Sequence, residues 1–213
     1  MLLNTEERAE KGRTEASTPG ERFAYWLSQI TSPFVIGLAT LGYASLSTAP
    51  AVTDSLVWWA VIGMGMSVPF SFVWLGVKKG HFTDIHVSRR SQRLLPLLVG
   101  LGCICGMLAG LILLHASRAL VVTLVAVLIS FSVATGITQL AKYKISFHVA
   151  SAAGAVTVCC LLANPVLVVL SPLVVLIAWA RWKLEAHTPL QALCSAVLAV
   201  VVTVTTFRLF GLR

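Results

Sequence analysis

Residues 179–196 place an arginine, a histidine and an amide at the spacing of an oriented nucleophile. Arg181 is followed by five residues and then by His187, and Gln191 lies one helical turn after the histidine. A histidine whose ring is held by a partner four positions along a helix can serve as a nucleophile or a base. The pair Thr188-Pro189 predicts that the last helix begins between them.

A second polar group precedes a run of small residues. Lys144, Ser146 and His148 alternate along the chain just before an Ala- and Gly-rich segment, 150–154. The start of a helix presents free N–H groups to an anion, small residues let helices approach closely, and a histidine can donate a proton to a leaving oxygen. A polar helix start that holds no ligand is the alternative interpretation.

The third set of polar residues lies in 80–96. Arg90 and Arg93 are three residues apart, so one helical turn places them on the same face, and His86 precedes them. Guanidinium groups match phosphate oxygens bidentately. A basic cluster that binds anionic lipid headgroups at the membrane surface explains this pattern equally well.

Composition indicates which kind of protein carries these loops. Hydrophobic residues make up 57% of the 213 residues and charged residues only 11%, against about 25% charged in an ordinary soluble domain. A soluble enzyme, a disordered protein and a free nucleic-acid binder are therefore excluded, and the bilayer is the expected solvent. Period-two alternation is absent, so the sequence predicts an all-α integral membrane protein.

Uncharged runs predict a bundle of six to seven transmembrane helices after a polar N-terminal tail, 1–22. One crossing takes about 20 residues, so the uncharged run 145–180, with 36 residues, is long enough for two short crossings. Asn164-Pro165 predicts the turn between them. We expect a single transmembrane domain, 23–213. It has six helices if two of the predicted helices merge. Otherwise it has seven, at about 27–48, 55–77, 94–115, 119–139, 147–163, 166–181 and 188–208.

Alternating crossings place the tail and all three polar loops on one side of the membrane. That side holds 13 of the 16 Lys and Arg residues, and the positive-inside rule makes it cytoplasmic. Four of the five histidines lie on the same side. Polar groups at membrane depth are costly and tend to be functional, so we predict a site at this side.

The three loops together resemble the signature of the type 2 phosphatidic acid phosphatase superfamily, whose relatives include the vanadium haloperoxidases. That signature is Lys, six residues and Arg-Pro; then Pro-Ser-Gly-His; then Ser-Arg, five residues, His, three residues and Asp. Its third part corresponds to residues 180–191 and its second to Ile-Ser-Phe-His at 145–148. Its first part corresponds to His86, six residues and Arg93, with the proline delayed to Pro96.

The resemblance covers about residues 80–200 and implies a phosphatase that needs no metal or other cofactor. It assigns the nucleophile, which becomes a phosphohistidine, to His187, and the protonation of the leaving alkoxide to His148. Gln191 takes the position of the residue that orients the nucleophile. The residues that it implies for phosphate binding, together with their cationic neighbours, are Arg93, Arg181, Ser146, Lys144, Arg90 and His86.

The departures from the signature leave several functions open. Gln191 replaces a carboxylate, and its amide can accept an N–H bond but supplies no charge. The first hypothesis is a membrane phosphatase acting on a lipid phosphate or diphosphate, such as phosphatidic acid or a prenyl diphosphate. The alternatives are a catalytically weak relative that binds anionic lipid or prenyl phosphate without turnover, and an unrelated membrane carrier. In each case the expected partner is a membrane lipid or the bilayer, and not nucleic acid.

Overall fold

The computed structural model describes residues 18–83, 85, 87, 92–141 and 143–212. Within these residues the chain is all-α, as predicted. One 3-10 helix, Pro165–Leu170, lies between the sixth and seventh α-helices. The eight α-helices of the described residues are α1 (Pro19–Ile30), α2 (Pro33–Thr48), α3 (Val52–Lys78), α4 (Leu94–Leu113), α5 (Arg118–Gln139), α6 (Phe147–Leu162), α7 (Ser171–Lys183) and α8 (Pro189–Leu209).

The lengths of the helices are those of a multi-pass membrane protein. Within the described part of the chain, five helical segments are long and apolar enough to cross a bilayer, and α1 with α2, bent by 44°, forms a sixth if the pair is one span. The six-to-seven-helix prediction also counted α6, which has only 16 residues. At 1.5 Å per residue it is about 24 Å long, shorter than the roughly 30 Å of hydrocarbon.

The expected break in the 36-residue uncharged run is confirmed. α6 ends at Leu162, and the Asn164 side chain accepts the N–H of Val166 at 2.9 Å. The helix expected at 166–181 differs in its first part, which is the 3-10 helix, and it continues to Lys183.

Short polar residues followed by proline begin four of the helices. Thr18, Ser32, Asn164 and Thr188 each accept a backbone N–H of the following turn, and each precedes a proline. Proline suits this position because its fixed φ is helical and the N–H it lacks would have no partner in the helix. α1 therefore begins at Pro19, earlier than the expected helix start near 27, and its first residues belong to the segment predicted as a polar tail. Residues 1–17 of the predicted tail lie outside the described residues.

Four helices end in the same motif. Each of α3, α4, α7 and α8 is followed by a residue of positive φ, namely Gly80 (75°), His115 (49°), Glu185 (51°) and Gly211 (66°). The next residue donates its N–H to the carbonyl five positions back, which is the Schellman motif. His115, the one histidine expected on the opposite side from the others, therefore serves to end a helix.

Polar contacts between helix ends define one end of the bundle. The hydroxyls of Thr48 and Ser117 are 2.5 Å apart, and Arg118 donates to the carbonyl of Phe210 at 2.5 Å. The C-termini of α2 and α8 thus lie beside the N-terminus of α5. The connections that carry the candidate residues precede α4, α6 and α8, and they belong to the opposite end.

The core of the described residues consists of three clusters: one beneath these connections, a larger one beside it, and a small one formed by Val122, Val158 and Phe207. α6, α7 and α8 share the cluster of Val149, Ala152, Ile177 and Ala192. α6 and α8 approach so closely that a Cβ on Gly154 would lie 3.8 Å from the Thr203 hydroxyl. The larger cluster lies among α2, α3, α4 and α5. Its members are Leu41, Ala44, Trp58, Ile62, Ile104, Met107, Leu111, Leu120 and Leu124.

Candidate functional site

The end of α7 determines how Arg181 and His187 are related. Ala186 donates its N–H to the Arg181 carbonyl at 3.0 Å, and Glu185 donates to the Trp182 carbonyl at 2.8 Å. His187 donates to the same Arg181 carbonyl at 3.2 Å. The left-handed turn at Glu185 folds the chain back, so the five-residue spacing returns His187 to the last turn of α7.

Three cations, one from the last turn of α7 and one each from the connections before α4 and α6, act electrostatically on His187. Burial lowers the pKa of His187, and the charges of Lys144, Arg181 and Arg93 lower it further, from 6.5 to about 3. The imidazole is therefore neutral at pH 7. The structure thus brings together the cations of all three polar loops around one histidine.

The burial of these groups makes their interactions stronger than they would be in water. Arg181 is only 9% exposed. The Nδ1 atom of His187 is buried and accepts or donates no hydrogen bond among the described residues. Because charges act at longer range where water is excluded, the Arg181 guanidinium acts more strongly on the His187 imidazole than it would in water.

Gln191 has a different main contact from the one expected. Its Oε1 accepts the N–H of Thr188 at 3.1 Å, while the Thr188 hydroxyl accepts the N–H of Gln191 at 3.2 Å. This reciprocal pair is a capping box at the start of α8. The amide also makes a polar contact with His187, which raises the pKa of the ring. This effect is smaller than the lowering by burial and by the three cations. The predicted support of His187 by Gln191 is therefore shared with a capping role.

Arg93 is held by the connection that precedes α4. It is half-buried, and its Nε donates to the carbonyl of Val87 at 2.9 Å. Val87 has φ of 45°, a costly conformation for a β-branched residue. The carbonyl of this strained residue thus holds the Arg93 side chain at the start of α4. Arg90 and His86, the other candidates in this connection, lie outside the described residues.

The connection before α6 places Ser146 fully inside the protein. Ser146 is 0% exposed and is the N-cap residue of α6, yet its hydroxyl makes no capping bond and has no hydrogen-bond partner among the described residues. Serine at this position ordinarily caps the helix through that oxygen. His148 follows on the first turn of α6 and is 6% exposed. Lys144, two residues before the cap, is half-buried and acts on His187.

Sequence reasoning missed the residues that hold the second connection in place. Ser146 donates its N–H to the hydroxyl of Ser195 at 2.8 Å, and Ile145 donates to the hydroxyl of Thr138 at 3.4 Å. Tyr143 donates to the sulfur of Cys194 at 3.6 Å, and this contact raises the pKa of Tyr143. The available signal was that Ser195 lies one helical turn after Gln191, on the same face of α8.

Comparison with known proteins adds no relative. No family model, curated protein or solved structure matches this chain.

Proposed function

We propose that this chain is a membrane phosphatase that hydrolyses a lipid phosphate or diphosphate through a phosphohistidine at His187. The observation that carries the proposal is the buried, neutral imidazole of His187 among Lys144, Arg181 and Arg93. An imidazole must be unprotonated to attack phosphorus, and cations stabilise the charge that develops on the phosphoryl oxygens. The same three cations that would bind the phosphate also keep the nucleophile neutral.

The reaction that we propose has two steps. A ring nitrogen of His187 bonds to phosphorus while the bond from phosphorus to the ester oxygen breaks, and His148 gives a proton to that leaving oxygen. Water then attacks the phosphohistidine, His148 takes a proton from the water, and inorganic phosphate leaves with His187 restored. The cations and the Ser146 hydroxyl bind the phosphoryl oxygens in both steps.

The neighbours of Arg93 support a lipid as the substrate. Leu94, Leu95 and Leu98 follow it on α4, and each is more than half exposed. A headgroup bound at Arg93 would therefore lie beside a helix face that meets hydrocarbon chains in the bilayer. We place this end of the bundle on the cytoplasmic side, because the connections and tail assigned to it hold 13 of the 16 Lys and Arg residues.

Binding without turnover is the second candidate function, and Gln191 favours it. In serine proteases the comparable loss of the carboxylate costs about 10⁴ in rate. Gln191 brings no charge, and its Oε1 already accepts the N–H of Thr188. A relative with this substitution can keep the phosphate site and lose most of the chemistry.

Phosphate release from short-chain phosphatidic acid and from a short prenyl diphosphate tests the proposal. The purified protein in detergent should release phosphate, and His187→Asn should release none. His115→Asn is the matched control, because His115 ends α4 and asparagine tolerates its positive φ. Equal release by the wild type and His187→Asn would end the phosphohistidine hypothesis, whereas vanadate binding without any phosphate release would favour the second function.

A further inference from the structure

Ser195 makes two hydrogen bonds that join the start of α8 to the start of α6. It is 0% exposed, one turn after Gln191 on α8. Its hydroxyl donates to the Gln191 carbonyl at 2.5 Å and accepts the N–H of Ser146 at 2.8 Å. A single hydroxyl thus links the segment that follows His187 to the segment that carries Ser146 and His148.

The Ser195 hydroxyl can satisfy both partners at once, because the backbone N–H of Ser146 only donates and the carbonyl of Gln191 only accepts. A serine hydroxyl has one hydrogen and two lone pairs. Because the Gln191 carbonyl takes the hydrogen, a lone pair is left to face the Ser146 N–H. Serine often bonds to the carbonyl four residues back in a helix, and that bond alone would be structural. The bond to Ser146, 49 residues earlier in the chain, is the additional feature.

Ser146 is held to α8 through its backbone, whereas its side-chain hydroxyl makes no capping bond. The backbone N–H of this N-cap residue is satisfied by α8, and its buried Oγ has no partner among the described residues. A buried hydroxyl without a partner is costly unless a ligand supplies one. The N-cap residue is therefore held by its backbone, with its side chain left for the anion.

We propose that Ser195 is a positioning residue that holds Ser146 and His148 in register with His187. This inference rests on the proposed function. Since α6 and α8 are joined at this point, the proton donor and the nucleophile keep a fixed separation. Ser195 itself touches neither substrate nor the reacting atoms.

The inference predicts a defect that depends on the leaving group. In Ser195→Ala the start of α6 loses the hydrogen bond that fixes Ser146, although the contacts of Tyr143 and Ile145 remain, so His148 is displaced from the leaving oxygen. A displacement of about 1 Å can cost about 10²-fold in rate. For dioctanoyl phosphatidic acid, whose alkoxide needs the proton, kcat/KM should fall by about that factor. For a nitrophenyl phosphate that carries an octyl chain, whose phenolate leaves without much help, kcat/KM should fall only a few-fold.

The matched control is another buried hydroxyl on α8. Thr206 is 3% exposed and donates to the Val202 carbonyl at 2.7 Å, at the opposite end of the helix. Thr206→Val should affect both substrates equally and slightly. Ser195→Thr keeps the hydroxyl and should restore the wild-type ratio of the two substrates. If Ser195→Ala does not fold, Ser195→Cys takes its place, since a thiol is a weaker acceptor.

Hydrogen exchange of the peptide 144–150 provides the readout that does not depend on activity. Exchange should be faster in Ser195→Ala than in Thr206→Val. A variant at Ser195 that lowers kcat/KM equally for both substrates, or leaves this exchange unchanged, overturns the positioning role while the phosphatase function stands. A wild-type protein that hydrolyses neither substrate overturns the proposed function and this inference with it.

Discussion

At the level of single residues, the protonation state of His187 is the central feature of the site. Burial and three neighbouring cations favour the neutral ring. A bound phosphate would bring negative charge next to the same ring and offset those cations. The pKa of His187 should therefore rise when an anion binds, because an opposite charge stabilises the protonated form.

The lowered pKa of His187 predicts how stability depends on pH. The unfolded chain takes up this proton near the ordinary value of 6.5, whereas the folded protein takes it up only near 3. The contribution of the ring to stability is therefore complete above about pH 6.5 and is lost as the pH falls toward 3. Between pH 7 and pH 4 the thermal midpoint of the wild type in detergent should fall more than that of His187→Asn. His115→Asn should follow the wild type, and parallel curves for all three proteins would contradict the lowered pKa.

Gln191→Asp should raise the chemical rate on a lipid phosphate. A carboxylate can balance the positive charge that grows on the His187 ring, which the amide cannot. The expected gain is at least about tenfold, and it is well below the roughly 10⁴ seen in serine proteases, because aspartate is one methylene shorter. Phosphate release by the four combinations of Gln191→Asp and His187→Ala measures the effect. Activity that survives His187→Ala in either background would show that the gain has another origin.

At the level of elements, the turn that ends α7 determines where His187 lies relative to Arg181, and this turn strains the backbone of Glu185. Glu185 has φ of 51° at the position where glycine is favoured, and Gly80 ends α3 in the same motif. A left-handed conformation costs an ordinary residue roughly 1–2 kcal/mol. The strain at Glu185 is tolerated because the two bonds to the Arg181 carbonyl return His187 to α7.

Glu185→Gly should therefore stabilise the protein and preserve activity. The relieved strain, roughly 1–2 kcal/mol, exceeds the added chain entropy of glycine, roughly 0.5–1 kcal/mol. We expect a net gain of about 0.5–1 kcal/mol in the free energy of unfolding. Gly80→Ala is the converse control, and it should lose about 1 kcal/mol through the backbone alone, since no atom lies within 4 Å of the added Cβ. A loss of stability in Glu185→Gly would mean that the glutamate side chain has a role of its own.

At the level of the whole molecule, the distribution of charge predicts the orientation in the membrane. In a background without reactive cysteines, Thr83→Cys should be protected from an impermeant thiol reagent in intact cells and labelled after lysis. Ala51→Cys lies in the exposed connection between α2 and α3 and should be labelled in intact cells. If Thr83→Cys is labelled in intact cells and Ala51→Cys is not, the orientation is the opposite of the one predicted.

Local patterns determined the helical character, the membrane class and most of the helix boundaries. The break at Asn164-Pro165 and the start of α8 after Thr188 were read correctly, because a cap and a proline act within one turn. The same signal at Thr18-Pro19 stands among charged residues, and the first helix was predicted to begin near 27 and not at Pro19. The use of Gln191 was incompletely predicted, because the spacing of four fits both a partner for His187 and a capping box with Thr188.

The sequence by itself determined which residues could do chemistry, since residue types and spacings are local properties that the chain carries into any fold. Only the tertiary structure decided what state they are in. The neutral ring of His187 depends on burial and on the charges of Lys144, Arg181 and Arg93. The position of Ser146 depends on a bond from its backbone N–H to Ser195, 49 residues away. No local pattern encodes a desolvation or a distance between segments that are remote in the chain.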